Sequence, residues 1–412
     1  MTLTHDHHLD GIDLLASTWG HAAPHDQFDR LRREAPVCWH PEPEGPGFWA
    51  VTKHDDVVAV SRDSATYSSE LGGTFIPDQD EMALASLRLT ILNMDPPKHN
   101  RYRRIVSRGF TPRVIGKLLE DIEHRATRVV DDVAERGECE FVEDVAAKLP
   151  VQMICEMIGL DEDHWPRMVE ISNTLIGSRD DPDYQLVEGA QEAAAMEIYA
   201  LCDAVAAERR ADPRDDIMTA LVNAEIDGER LDDAELNLFF VTLVVAGNET
   251  TRNLINHSML ALVDHPGEAQ RLRDEPSLWD TGVEEMLRWG ASIHNFRRTA
   301  THDTVIRGVP VAEGEKVVLY YASANRDEDV FADPHRFDVG RTPNDHVTFG
   351  GGGVHFCLGA SLARAQIRAA MRQLVERLPD LAVSGPVERL HSDFVNGIKS
   401  MPVSFTPAPR LA

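Results

Sequence analysis

The residue in this chain best suited to hold a metal is Cys357. It lies in the run Phe349-Gly350-Gly351-Gly352-Gly353-Val354-His355-Phe356-Cys357-Leu358-Gly359. Four consecutive glycines remove side chains, so a flat, bulky group can approach the backbone there. The last helix is predicted over 357–378, which puts Cys357 in its first turn. At that position the helix dipole and unpaired amides favour the thiolate, the form that binds metal. One thiolate on a glycine-cushioned loop suits a metal already held at its other positions. The alternative is a glycine-rich turn with an incidental thiol.

A second cluster, Ala246-Gly247-Asn248-Glu249-Thr250-Thr251, follows an apolar run that ends at Val245. A hydroxyl beside a carboxylate can accept and pass protons in a closed pocket. Gly247 makes that turn about 1 kcal/mol weaker than alanine would. The competing reading is an outward polar face of an amphipathic helix. A third pair, Glu285 and Arg288, stands three apart on a predicted helix. Alone, such a pair is a surface ion pair worth a few tenths of a kcal/mol.

The elements that must position these groups are mostly helices. The longest is predicted over 232–264, from the cap Asp232 to just before Pro266, and is long enough to cross the whole molecule. Helical periodicity fills 97–264, with joints at Thr111-Pro112, Gly137, Gly159-Leu160-Asp161, Asp180-Asp181-Pro182-Asp183 and Ala211-Asp212-Pro213-Arg214. Before it come a strand over 47–52, a short helix over 53–61 and a long irregular stretch over 67–93. Loops of that length in compact proteins tend to be lids or binding loops. After Trp289, short strands are predicted over 304–311 and 316–321 around a turn at Gly314. The expected fold is mainly α with a minor β region. A single domain is expected over 26–412, behind a flexible arm, 1–25, whose His5, His7 and His8 are read as solvated.

Composition narrows the function. With 41 Lys+Arg against 69 Asp+Glu the net charge is −28, which disfavours binding to nucleic acid or anionic membrane. The hydrophobic fraction of 42% and charged fraction of 27% are those of an ordinary globular protein rather than a disordered one. No run approaches the 18 or so apolar residues of a membrane span. The N-terminus lacks a signal-peptide pattern, so a cytoplasmic protein is expected. The cysteines Cys38, Cys139, Cys155, Cys202 and Cys357 form no C-x-x-C pair, which argues against a zinc ribbon or a redox motif.

Taken together, the order and separation of the long-helix motif, the Glu-x-x-Arg pair and the cysteine loop resemble the bacterial cytochrome P450 family of haem-thiolate monooxygenases. The likeness extends over roughly residues 25–405. It implies the cytochrome P450 fold, with the long central helix over a haem b, and Cys357 as the axial iron ligand. Thr250, with Glu249, would deliver protons, and Glu285, Arg288 and Arg336 would form a buried structural network. The stretch Asp95-Pro96-Pro97-Lys98-His99-Asn100-Arg101-Tyr102-Arg103 looks like the family's helix at the haem edge. His99, Arg103, Arg298 and His355 would bind the propionates, with Phe349 and Gly351 in the cofactor loop. The family's loop has its phenylalanine seven residues before the cysteine, whereas Phe349 stands eight before, with Gly350 in the expected place.

Three framework stretches, over 106–112, 322–327 and 396–402, look like the subgroup acting on sterol side chains, terpenoids and methyl-branched lipids. The expected pocket walls, Phe75, Ile76, Leu92, Val245, Ala246, Ile293 and Val395, are all apolar and suit a large aliphatic substrate. Some relatives with similar frameworks act on macrolides or other natural products. The implied reaction is hydroxylation of an unactivated C–H bond with one atom of O2. No flavin or iron–sulfur segment is visible, so electrons from NADH or NADPH would arrive through a separate ferredoxin and ferredoxin reductase. Two rivals remain at this point. A non-catalytic haem-thiolate sensor would not need Glu249 and Thr250, and a peroxide-driven enzyme would lack that pair.

Overall fold

A computed structural model describes the chain except for residues 1–6, 16–18, 20–21, 177–180, 182–186, 188, 227–228 and 412. His5 and most of the turn proposed over 180–183 lie outside the described residues. The structure is mainly helical with a minor β region, as the sequence predicts, and the largest sheet among the described residues has five strands.

The long helix spans Asp233–Asp264. Its start is set by a reciprocal cap: Asp232 accepts from the Glu235 amide, and the Glu235 side chain accepts from the Asp232 amide. It packs on the helices Lys148–Ile158, Ala190–Ala211, Trp279–Gly290 and Ala360–Arg377, so no side of it can be broadly polar. Asn248, Glu249 and Thr251 are all buried, which overturns the outward-face reading. At Gly247 the helix is unbroken. A Cβ there would sit 3.0 Å from the Ile154 side chain, so the glycine admits a close neighbour.

The sheet runs in the order Val37–His40, Phe48–Val51, Lys316–Tyr320, Asn295–Ala300, Tyr67–Ser68. Lys316–Tyr320 is parallel to Phe48–Val51 and antiparallel to Asn295–Ala300. Its two faces feed two apolar clusters: one contains Val317, Leu319 and Ala300, the other Val318, Tyr320 and Phe48. The second also takes in Ile12, Leu14 and Trp19. Those residues belong to the segment expected to be a loose arm, and Leu14 is fully buried. The arm is further tied down where His8 Nδ1 meets the Trp39 carbonyl, 3.2 Å apart. Apolar residues spaced irregularly among histidines carry no periodic signal, which is why the sequence reading missed the packing.

Two further boundaries differ. The stretch over 67–93 contains a helix, Glu81–Leu87, capped by Asp80. The terminal helix is Ala360–Arg377, with Gly359 at its N-cap, so Cys357 precedes it rather than lying in its first turn.

Candidate active site

Cys357 is held by its own loop. Its backbone N–H donates to the Phe349 carbonyl at 2.9 Å, tying the two ends of the glycine run together. Phe349 is buried, with the Arg364 guanidinium 4.6 Å from its ring centroid. The extra residue before the cysteine is absorbed by the glycines, since Gly350, Gly352 and Gly353 all have positive φ. Gly351 does not serve as the cushion expected for a flat group. A Cβ at Gly351 would fall 2.8 Å from Val58 Cα and Ser61 Oγ, and one at Gly353 would fall 2.4 Å from the Ser61 carbonyl. These glycines therefore let the loop lie against the helix His54–Arg62.

The Cys357 side chain is solvent-accessible yet set deep among protein atoms. Burial raises its thiol pKa, against opposing pulls from the Gly359 and Ala360 amides, Arg103 and Arg364. The helix terminus alone does not make the thiolate; a bound metal cation would.

Around this sulfur the protein gathers positive charge. The rings of His99 and His355 lie 4.2 Å apart. Arg103, from the helix Lys98–Val106, donates to the Phe356 carbonyl, and Arg298 donates to the Arg297 carbonyl at 2.8 Å. Burial lowers all four basic groups, and repulsion from the arginines adds to it at the two histidines: His355 falls to about 2 through burial, then Arg298, His99 and Arg103. Burial likewise lowers His99, Arg103 and Arg298. The one nearby carboxylate, Asp95, is engaged by Ser68 and the Ser69 amide. Ser69 Oγ also lies 3.2 Å from His355 Nε2. Two arginines and two histidines without a partner carboxylate among the described residues suit a dianionic group such as the two propionates of a haem. Among the described residues, no group of three or more His, Cys, Asp or Glu gathers to hold a bare ion. The donor set thus fits a metal that brings its own macrocycle.

On the long helix, the Thr250 hydroxyl donates to the Ala246 carbonyl at 2.7 Å. Glu249 points elsewhere. Its Oε1 accepts from Arg252 and, at 2.7 Å, from Asn253 Nδ2, while Oε2 has no partner among the described residues. Arg252 is itself fixed by Asn173 Oδ1 at 2.6 Å. Glu249 and Arg252 line a cleft of about 680 Å³ that also touches Lys148, Trp165 and Ile398. Carboxylate and hydroxyl are thus chain neighbours with separate partners.

The expected pocket walls separate into groups. Ile293 and Val395 form a bridge between their backbones. The Phe75 ring lies 4.9 Å from Phe394, and Phe394 lies 5.4 Å from Phe296. The sequence reading missed Phe296 and Phe394; the former's place two residues before Arg298 on one strand was the available signal. Val245 is half-buried and Ala246 exposed. Leu92, 37% exposed, lies in the short turn Ile91–Asn93. Ile76 is corrected: its side chain packs in the cluster with Phe48 and Tyr320 and is core.

Glu285 and Arg288 are fully buried and bonded twice, at 2.8 Å each. Arg336 joins only through its carbonyl, 3.2 Å from Arg288 Nη2, and its side chain is exposed. The second guanidinium on Glu285 is that of Arg341, at 3.1 Å. The turn of chain after Phe337 brings Arg341 back beneath Glu285, a placement no local motif encodes.

Comparison with known proteins fits this geometry. Residues 117–379 match the family model described as Cytochrome P450. The chain is 40% identical over 394 residues to a steroid C26-monooxygenase of Rhodococcus jostii, covering 93% of this chain and 82% of that one. It is 42% identical over 389 residues to a methyl-branched lipid omega-hydroxylase of Mycobacterium tuberculosis, covering 92% and 90%. Among solved structures, a Mycobacterium marinum cytochrome P450 in complex with pseudoionone superposes with a TM-score of 0.90 at 42% identity, covering 96% and 99%. The chain is a monooxygenase that belongs to the cytochrome P450 family.

Proposed function

We propose that this enzyme hydroxylates a large apolar molecule of the sterol, terpenoid or branched-lipid kind, using a haem b whose iron is ligated by Cys357. The observation that carries the reading is the basic cluster beside the sulfur, in which Arg103, Arg298, His99 and His355 have no carboxylate partner among the described residues and await a dianion. The names of the relatives and the phenylalanine wall of Phe75, Phe296 and Phe394 support the substrate class. Bound haem supplies the activation of O2 and the transfer of one oxygen atom to carbon.

The chain's own part is to orient, to exclude water and to move protons. Thr250 offers a hydroxyl once it leaves the Ala246 carbonyl, and Glu249 collects protons from the cleft on its own side through the unpartnered Oε2. The relay therefore requires the carboxylate to turn from Arg252 and Asn253 during turnover. Electrons would come from an acidic ferredoxin and its reductase. Residues 98–117 hold seven basic and no acidic side chains, and Arg104, Arg113 and Lys117 are exposed. Such a patch steers an acidic partner, with on-rates that fall as salt rises. No helix among the described residues is long and apolar enough to cross a membrane.

The deciding experiment replaces Cys357. In Cys357→Ala the reduced carbon-monoxide band near the family's characteristic wavelength should vanish, while Cys38→Ala keeps it; an unchanged band would overturn the assignment. Thr250→Ala should still show the substrate-induced spectral shift and consume NADH, with less product per NADH and more hydrogen peroxide.

A further inference from the structure

The strand Asn295–Ala300 carries two arginines in succession, and its pleat sends them to opposite faces. Arg298 joins the basic cluster. Arg297, equally buried, is spent on a different task. Its backbone N–H donates to the Thr74 carbonyl at 2.9 Å. Its Nη1 donates to the Ile76 carbonyl at 3.2 Å and to Asp78 Oδ1 at 2.7 Å. On the neighbouring strand, buried Lys316 reaches the same segment: Nζ lies 3.1 Å from the Ile76 carbonyl and 2.9 Å from Asp78 Oδ2. Its remaining partner is Glu42, at 2.6 Å. At the other end of the segment Gly72 is pressed onto the same side chains, since a Cβ there would fall 2.2 Å from Arg297 Nη2 and 2.7 Å from Thr299 Oγ1.

Two buried cations on adjacent strands of the sheet thus draw residues 72–78 down by one carbonyl and one carboxylate. Phe75, in the middle of the segment, is the residue that reaches Phe394. We propose that Asp78 is a positioning residue for the substrate chamber, latching residues 72–78 to Arg297 and Lys316 so that the Phe75 ring closes one wall, and that release of this latch admits and discharges bulky apolar ligands. The proposal rests on the reading of that wall as part of the substrate chamber.

Asp78 is the member of the network built to let go. Its side chain is 50% exposed, so water competes for it, whereas Glu42 is 9% exposed and stays on Lys316. Release therefore leaves Lys316 compensated and only Arg297 short of a carboxylate. The cost at Arg297 is reduced by a cleft of about 420 Å³ beside it, bounded by Leu71, Gln79 and Glu313. Arg297 Nε and Thr299 Oγ1 already lack partners there among the described residues, and water in such a polar cleft can take over the guanidinium. Protonation is not the trigger. Burial alone would raise the Asp78 carboxyl, but Lys316 and Arg297 outweigh it and hold the group below its usual range.

The test uses the holoenzyme, its Asp78→Ala variant and the conservative Asp78→Glu variant. Stopped-flow absorbance follows dissociation of clotrimazole, a bulky azole, and of imidazole, which needs no wall to move. Clotrimazole dissociation should accelerate roughly tenfold in Asp78→Ala, since such changes act mainly on off-rates. It should return to within about twofold of the parent in Asp78→Glu, with imidazole unchanged throughout. Hydrogen exchange across residues 72–78 should quicken in Asp78→Ala alone. Unchanged clotrimazole dissociation overturns the proposal, as does equal acceleration of imidazole, which would mark a general disturbance of the haem site. If clotrimazole fails to bind the parent, the chamber reading is at fault, and exchange over 72–78 then decides the latch by itself: faster exchange in Asp78→Ala supports it and unchanged exchange overturns it.

Discussion

Two clusters of arginine obey opposite rules. Around Glu285 every charge is answered. Arg288 donates to both carboxylate oxygens and to the carbonyls of Asn325, Pro334 and Arg336, while Arg341, Asn344 and the Asp338 amide complete the carboxylate's shell. Beside Cys357, Arg103 and Arg298 donate only to main-chain carbonyls in the contacts described, and the two histidines between them are kept neutral by burial and repulsion. A closed network holds the fold together, since removing one partner exposes the others to desolvation without compensation. An open cluster of like charge opposes the fold until an anion arrives, and so marks where one belongs.

The sharpest way to break this comparison is to open the closed network. Glu285→Gln leaves Arg288 and Arg341 buried without a carboxylate. It should cost about 3–5 kcal/mol, seen as a large fall in the denaturation midpoint and in the yield of haem-loaded protein. A loss below about 1 kcal/mol would erase the distinction.

The next effect asks whether packing alone, outside both regions, can hold a buried base neutral. His257 sits against the Asn396 carbonyl at 2.9 Å, and its pKa falls to about 4 through burial, then repulsion from Arg389, against the opposing pull of Asn396. Its folded value lies below the unfolded value near 6.5. Its contribution is therefore complete above that pH and lost as pH falls toward 4. Between pH 7.5 and 5 the loss should be about 2 kcal/mol, and unfolding measured across that range should show a shallower slope in His257→Asn.

Arg298→Met tests the open cluster. It should leave the stability of the haem-free chain unchanged or raised, yet speed haem dissociation on the order of tenfold, about 1.4 kcal/mol, as followed by transfer to an acceptor apoprotein. The smallest effect is expected at Arg336, in contrast to Arg341. Arg336→Ala should stay within about 0.5 kcal/mol, as exposed side chains do, whereas Arg341→Met should destabilise by about 1–3 kcal/mol.

What the sequence disclosed follows from how local each signal was. The long helix was legible to within one residue because Asp232 and Glu235 cap it within a single turn and Pro266 follows its end. Cys357, Glu285 and Arg288 were found through short motifs whose meaning lies in their spacing. Arg336 is implied by the family resemblance and Arg341 by no motif, because only the folded path decides which guanidinium reaches Glu285. The glycine run signals close approach, but the object approached is the helix His54–Arg62, some 290 residues away in sequence. The direction of Glu249 was equally hidden, since Arg252 and Asn253 are its helix neighbours but Asn173 is not.

The order of strands in the sheet has a consequence for how the molecule is made. Lys316–Tyr320 lies between Phe48–Val51 and Asn295–Ala300, so the hairpin of Val37–His40 and Phe48–Val51 must wait for its inner neighbour. At roughly 5–20 residues per second, a ribosome needs tens of seconds to supply it. Throughout that interval the Phe48–Val51 edge is an open template for another chain. The strand that closes it also delivers Lys316, so protection of the nascent chain and capture of residues 72–78 happen in one event.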